Sequence, residues 1–225
     1  MTVFDLENSK SVTLPFENGR NISCVALSPN GKVLITVDEE GRALLINYKR
    51  GSVLSRFNFK SKITCISFSP CGQFFAASHG KNVQIWGTPS LQREYAPFVL
   101  HRTFAGHFDE VLCIDWAADG SHLISGSRDL TARIVSLEAR DGFPVTLAGH
   151  RESVIAAYLG RAEGSAITVT RDGAYIEWRR RSEESSPSQS KFWAYIALTT
   201  GLCADGQSSC VVRIMTRCGK MGAGR

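Results

Sequence analysis

The feature that most constrains this chain is an internal repeat of roughly 40–45 residues. Four turns ending in glycine mark it: Ser28-Pro29-Asn30-Gly31, Ser69-Pro70-Cys71-Gly72, Ala117-Ala118-Asp119-Gly120 and the weaker Arg161-Ala162-Glu163-Gly164. Their glycines are 41, 48 and 44 residues apart. Proline presets φ for such a turn and glycine supplies the positive φ, so these are hairpin signals with a mechanism. Apolar segments of alternating character flank them, as half-buried strands require. A unit of this size cannot bury its own apolar face and has to stack on copies of itself.

The strand after each second turn gives a tighter frame. Residues 129–135 align without gaps on 172–178, and 80–86 and 40–46 fall on the same frame, as does Val3-Phe4-Asp5. The anchor positions are then Phe4, Ile46, Trp86, Val135 and Trp178, spaced by 42, 40, 49 and 43 residues. Gly106-His107 and Gly149-His150 each precede a strand, and their histidines lie 22 residues before Asp129 and Asp172. A tryptophan-type anchor at this period is the WD-repeat β-propeller signature. An unrelated all-β sandwich with regular turns would not impose these constant offsets.

In such a blade a loop His, a Ser or Thr of the second strand, an Asp of the tight turn and the Trp are expected to form a buried hydrogen-bonded set. Blade four has all four candidates: His150, Thr168, Asp172 and Trp178. Blade three has His107, Ser125 and Asp129, with Val135 at the Trp position. Blades one and two lack the His and the Asp, and blade two keeps Trp86. The two histidines could be read as catalytic bases, but the blade role accounts for them. Asp129 and Asp172 are 43 residues apart at equivalent points of separate blades, which suits turn caps better than paired acid–base work.

The fold expected is all-β: an incomplete WD-repeat β-propeller of about four four-stranded blades plus a remnant strand at Val3–Asp5. A closed ring has about 4–8 blades, and closure protects strand edges, so an open ring is expected here. The partial propeller should occupy residues 1–180. Residues 181–225, from Ser182-Glu183-Glu184-Ser185-Ser186-Pro187 onward, read as a polar linker and an irregular basic tail outside the repeat. Ser186-Pro187 could accept phosphate, although a plain linker explains it as well.

Charge narrows the partners. Residues 1–180 carry 20 Lys/Arg and 18 Asp/Glu, and residues 181–225 carry 6 and 3, which sum to the chain's +5. A nearly neutral repeat region gives no bulk reason to bind nucleic acid. The first residues lack a basic, apolar signal pattern, and no apolar run approaches the roughly 18 residues of a membrane helix. Seven cysteines, odd in number and widely spaced, fit a reducing compartment. Cys203, Cys210 and Cys218 lack the short Cys-x-x-Cys spacing of zinc sites. No phosphate-binding glycine loop and no Gly-x-Ser-x-Gly elbow occurs. The expectation is a binding scaffold and not an enzyme, with no cofactor, metal, membrane contact or small-molecule substrate. Fold alone does not choose among propeller functions.

Between the repeats lie more particular stretches: Thr2–Leu6, Thr13–Pro15, Val25–Pro29, Val37–Asn47, Gln92–Phe104, Cys113–Trp116, Gly126–Arg133 and Gly149–Val154. The segment Gln92–Phe104 stretches the spacing there to 49 residues. On these residues the chain resembles the periodic tryptophan protein 2 family of WD-repeat proteins, over roughly residues 2–178. The resemblance implies a longer parent with two propellers and a non-catalytic part in the nucleolar small-subunit processome. It also implies a role in pre-ribosomal RNA processing and small ribosomal subunit assembly. The implied partners are other processome proteins and the pre-ribosomal RNA–protein particle, in the nucleolus. The alternative is a generic WD adaptor, in ubiquitin ligase recruitment or signalling, which could be cytoplasmic.

Overall fold

The computed structural model describes residues 2–5, 10–13, 20–89, 97–138, 144–160, 164–180, 195–199 and 212–214. Every regular element among them is a strand. A two-stranded hairpin comes first, β1 (Thr2–Asp5) on β2 (Lys10–Thr13). Blade one follows: β3 (Ile22–Leu27), β4 (Val33–Asp38), β5 (Arg42–Asn47) and β6 (Ser52–Asn58). Blade two is β7 (Ile66–Phe68), β8 (Phe74–His79), β9 (Asn82–Gly87) and β10 (Leu100–Phe104). Blade three is β11 (Val111–Trp116), β12 (His122–Ser127), β13 (Thr131–Ser136) and β14 (Val145–Ala148). Blade four is β15 (Val154–Leu159), β16 (Ser165–Thr170), β17 (Tyr175–Arg180), β18 (Tyr195–Thr199) and β19 (Val212–Ile214). All five sheets are antiparallel, with neighbours in chain order, and among the described residues no strand pairing joins one sheet to another.

The expected repeat is present, with two differences. The N-terminal remnant is a paired hairpin and not a single strand. The fourth strand of blade four, β18, comes from the stretch read as tail, and β19 adds a fifth strand. Neither pairing is set by the repeat's own spacing: β2 pairs back on β1, and β18 follows a polar stretch of sequence that breaks the period. Ser186-Pro187 and the three tail cysteines lie outside the described residues.

Register explains the anchors. Thr36, Ala77, Ser125 and Thr168 occupy one position of the second strand, facing Leu44, Gln84, Arg133 and Ile176. Two residues on from each partner stands the anchor: Ile46, Trp86, Val135 or Trp178, all buried. Period-2 alternation then puts every anchor on one face of its sheet. That face meets the preceding blade. Trp86 packs with Ile35 and Leu45 of blade one, Val135 with Ile85 of blade two, and Trp178 with Ile134 of blade three. The end of the Gln92–Phe104 stretch joins this packing. Phe98 stacks on Phe57 at 4.6 Å and stands edge-on to Phe75 at 6.1 Å.

The turns follow their residues. In the Ser-Pro-x-Gly turns, Gly31 N–H donates to Ser28 O and Gly72 N–H to Ser69 O, both at 2.8 Å. The second turns need a left-handed residue, and blade one uses Gly41 at φ +80°. A Cβ there would stand 2.1 Å from the Ser61 carbonyl oxygen. Blade three puts Leu130 at the same place with φ +65°, where an L side chain costs roughly 1–2 kcal/mol. Gly41→Ala should therefore lower stability by at least about 2 kcal/mol. Leu130→Gly should leave it unchanged or raise it by up to about 1 kcal/mol, strain relief being partly offset by glycine's entropy. Urea unfolding of the two variants checks both signs.

Candidate functional site: the polar sets inside the blades

In blade three the residues picked out by spacing converge. His107 Nδ1 lies 3.0 Å from Asp129 Oδ2 and Nε2 lies 2.9 Å from Ser125 Oγ. A carboxylate only accepts, so Nδ1 carries the hydrogen and Nε2 accepts from the Ser125 hydroxyl. Asp129 takes three further bonds: Phe108 N–H at 2.8 Å, Thr131 N–H at 3.0 Å and Thr131 Oγ1–H at 2.6 Å. Burial works to raise this carboxyl, but the bonds from Thr131, Phe108 and His107 outweigh it and hold Asp129 below the usual range. Burial lowers the His107 pKa, and Asp129 only partly offsets that.

Ser–His–Asp in this order has the connectivity of a hydrolase triad. Its setting does not suit one. Ser125 and His107 are both buried between sheets, and the serine hydroxyl hydrogen is spent on the imidazole. A substrate carbonyl has no approach to Oγ, and geometry comes before pKa in assigning a base. The set satisfies polar groups that the turn buries, as a cap does.

Blade four differs from expectation. His150, Thr168 and Trp178 come together, and Asp172 does not. Trp178 Nε1–H donates to Thr168 Oγ1 at 2.8 Å, and Thr168 Oγ1 lies 2.7 Å from His150 Nε2. His150 Nδ1 is 3.0 Å from the carbonyl oxygen of Leu130, in blade three. A carbonyl cannot donate, so Nδ1 carries the hydrogen and the direction of the whole chain follows: indole to hydroxyl to imidazole to carbonyl. Asp172 is exposed, accepting from Thr170 Oγ1 and, at 3.3 Å, from Ala174 N–H. It caps its own turn. The neighbouring blade supplies the acceptor that the aspartate was expected to provide. Burial pushes the His150 pKa down.

The other two blades use residues that spacing did not single out. In blade one, buried Asp38 accepts Glu40 N–H, Arg42 N–H and Arg42 Nε–H, each at 2.9 Å. Burial would raise this carboxyl, but the Arg42 and Glu40 bonds hold it below its ordinary range. An Asp three residues before a turn glycine is the signal that could have found it. In blade two the turn is one residue shorter, and His79 Nε2–H donates to Phe59 O at 3.2 Å. Trp86 keeps the anchor, but its Nε1–H has no acceptor among the described residues, because Ala77 stands where Thr168 stands in blade four. Aromatic rings surround it instead, Phe57 at 5.4 Å and Phe59 at 5.6 Å.

No cluster of three or more His, Cys, Asp or Glu fit to hold a metal occurs among the described residues. Burial pushes the Cys24 thiol up to about 11 and Cys113 to about 12, so both stay protonated as small apolar groups. Exposed Cys71 is lowered, chiefly by its hydrogen bond with Ser69, the sulfur and Oγ being 3.2 Å apart.

Comparison with known proteins agrees with this architecture. Residues 98–136 match the model of the WD domain, G-beta repeat, and residues 2–71 match that of the anaphase-promoting complex subunit 4 WD40 domain. Periodic tryptophan protein 2 homolog of Schizosaccharomyces pombe is 48% identical over 182 residues, covering 80% of this chain and 21% of that protein. The homolog of Neurospora crassa is 41% identical over 187 residues, again 80% of this chain and 21% of the relative. Small ribosomal subunit protein RACK1y of Oryza sativa is 26% identical over 145 residues, 64% of this chain and 43% of the relative. The chain thus spans about a fifth of the length of the first two.

Two outcomes test the sets. Asp129→Ala should cost about 2–3 kcal/mol, because it strands His107 Nδ1–H inside the blade and removes the bonds from Thr131, whereas Asp172→Ala should cost measurably less; denaturant midpoints of both decide it. The pH dependence has a definite sign. Both histidines have folded pKa values below the ordinary 6.5, so the unfolded chain binds more protons. Stability should fall as pH drops below about 6.5, and level off below the folded values. The carboxylate shifts act at lower pH. Melting temperature from pH 8 to 5 checks this, and His150→Gln should flatten the slope.

Proposed function

The chain belongs to the periodic tryptophan protein 2 family, of whose members it spans about a fifth, and on that premise we propose that it is a non-catalytic scaffold in pre-ribosomal RNA processing and small ribosomal subunit assembly. The depth of the match carries the reading: 48% identity over 182 residues, against 26% over 145 residues for a relative of another name. Shared blade requirements sustain the lower figure. The higher one points to common descent of the whole stretch, segments between blades included. The non-catalytic reading is supported by the site: the Ser–His–Asp arrangement of blade three is buried between sheets and engaged in turn capping.

The partners are other protein subunits of the processome, met in the nucleolus. A repeat region with 20 basic and 18 acidic residues favours protein contacts over the phosphate contacts that dominate RNA affinity. Tagged chain purified from nucleated cells should bring down other processome proteins and precursor ribosomal RNA, and should stain nucleoli. Recovery of ubiquitin-ligase or signalling proteins alone, with cytoplasmic staining, would make it a generic WD adaptor instead.

A further inference from the structure

Blade three carries one charge that the repeat does not explain. Arg133 stands on β13 at the register position held by Leu44, Gln84 and Ile176 in the other blades. It lies on the face that carries Val135, which meets blade two. The side chain is half-buried there, and its Nε is shut away from solvent. Among the described residues Nε–H has no acceptor. Two acids of the same rim are committed elsewhere, Asp129 to His107 and Glu110 to Lys62 and Arg128. A cation withdrawn from water without a counter-charge is unfavourable, a penalty that Leu44 and Ile176 do not carry.

The surroundings make room for this cation. Gly106 has φ +137°, and a Cβ there would lie 2.4 Å from Arg133 Nη1. The tip of the guanidinium therefore rests against bare backbone at the start of blade three. Two residues on, Phe108 is 78% exposed. Its N–H donates to Asp129 at 2.8 Å, and Leu130, next to Asp129, is 39% exposed. A cation and two apolar side chains thus share one rim, held by the bonds around Asp129. Blade three has a blade on each side, so this exposure does not come from where the sequence begins or ends.

We propose that this rim of blade three is a docking site for an acidic–apolar segment of a partner protein, a carboxylate pairing with the Arg133 guanidinium and a neighbouring apolar side chain covering Phe108 and Leu130. A planar guanidinium meets a carboxylate through two parallel N–H donors. Arginine beside an aromatic ring is also where the binding energy of an interface concentrates. Leu130 makes the apolar part of the rim aliphatic as well as aromatic, which suits a peptide side chain better than a stacked base. The proposal goes beyond the function above and stands without it.

The probe is a phage-displayed library of random short peptides, selected on the full 225-residue chain. Recovered peptides are then labelled and their affinity measured by fluorescence anisotropy. Peptides with Asp or Glu close to Leu, Ile or Phe are expected. Their affinity should fall at least about tenfold in Arg133→Gln and in Phe108→Ser, and less in Arg133→Lys, which keeps the charge but not the planar fork. Lys49→Gln, in the β5–β6 turn at the opposite end of the blades, should change nothing. Without peptide, Arg133→Gln should have a urea midpoint equal to or above that of the parent, because it removes an unpaired cation; a role confined to packing would lower it. A lowered midpoint, selected peptides without an acid, affinity that survives Arg133→Gln, or no peptide recovered would each overturn the proposal. So would Arg133-dependent binding of a uridine oligonucleotide, which would make this a phosphate site.

Discussion

A four-stranded antiparallel sheet with strands of about six residues has two broad faces and cannot dry either one alone. The rest of this structure depends on that constraint. It is why the apolar positions of β4, β5, β8, β9, β12 and β13 occur on both sides of the pleat, which a one-sided sheet would not need. It is also why the anchors all lean toward the preceding blade. A repeated sheet must offer each neighbour the same surface, so a residue type chosen once is chosen again about 42 residues later.

Stacking of sheets buries turn ends as well as side chains, and turn ends carry polar groups that need partners. The four blades reach four solutions. Blade four runs one chain of bonds from indole to carbonyl. Blade three surrounds a carboxylate with four donors. Blade one uses Asp38 and its own Arg42 across a single turn. Blade two keeps the indole, drops the hydroxyl and surrounds the ring with phenylalanines. Aromatic contacts of this kind contribute about 0.5–1.5 kcal/mol each, comparable to the net worth of one neutral hydrogen bond. The exchange is therefore close to even in energy, which explains why the anchor identity drifts between Ile, Trp and Val while the register does not.

Most of the fold was legible because its signals are local. A Ser-Pro-x-Gly turn, an alternating run and a constant offset between Gly-His and Asp depend only on neighbours in sequence. His107, Ser125 and Asp129 were found for that reason. Asp172 was misjudged because its place in the set depends on a neighbour in space: the Leu130 carbonyl reaches His150 from the adjoining blade, and no spacing within blade four encodes that. Asp38 and His79 were passed over because they solve the turn problem with residues the repeat does not share. β18 escaped because its apolar run, Tyr195–Thr199, follows the polar Ser182–Ser190 stretch and falls outside the repeat's spacing, so its pairing with β17 depends on a neighbour in space.

The Leu130 carbonyl also shows how strain and cohesion are coupled here. Leu130 sits in a left-handed conformation where blades one and four use glycine. That conformation is held between two buried polar centres, Asp129 on one side and His150 on the other. Asp129 in turn fixes the backbone of Phe108, so the β12–β13 turn of blade three holds both the entry to its own blade and the entry to blade four. An unpaired imidazole or carboxylate in that position would cost more than the backbone strain. The strain persists because releasing it would break the bond between blades. A scaffold gains from such coupling, since loop ends that are already ordered lose little entropy when a partner arrives. Between blades three and four part of the rigidity comes from hydrogen bonds that cross the boundary between sheets.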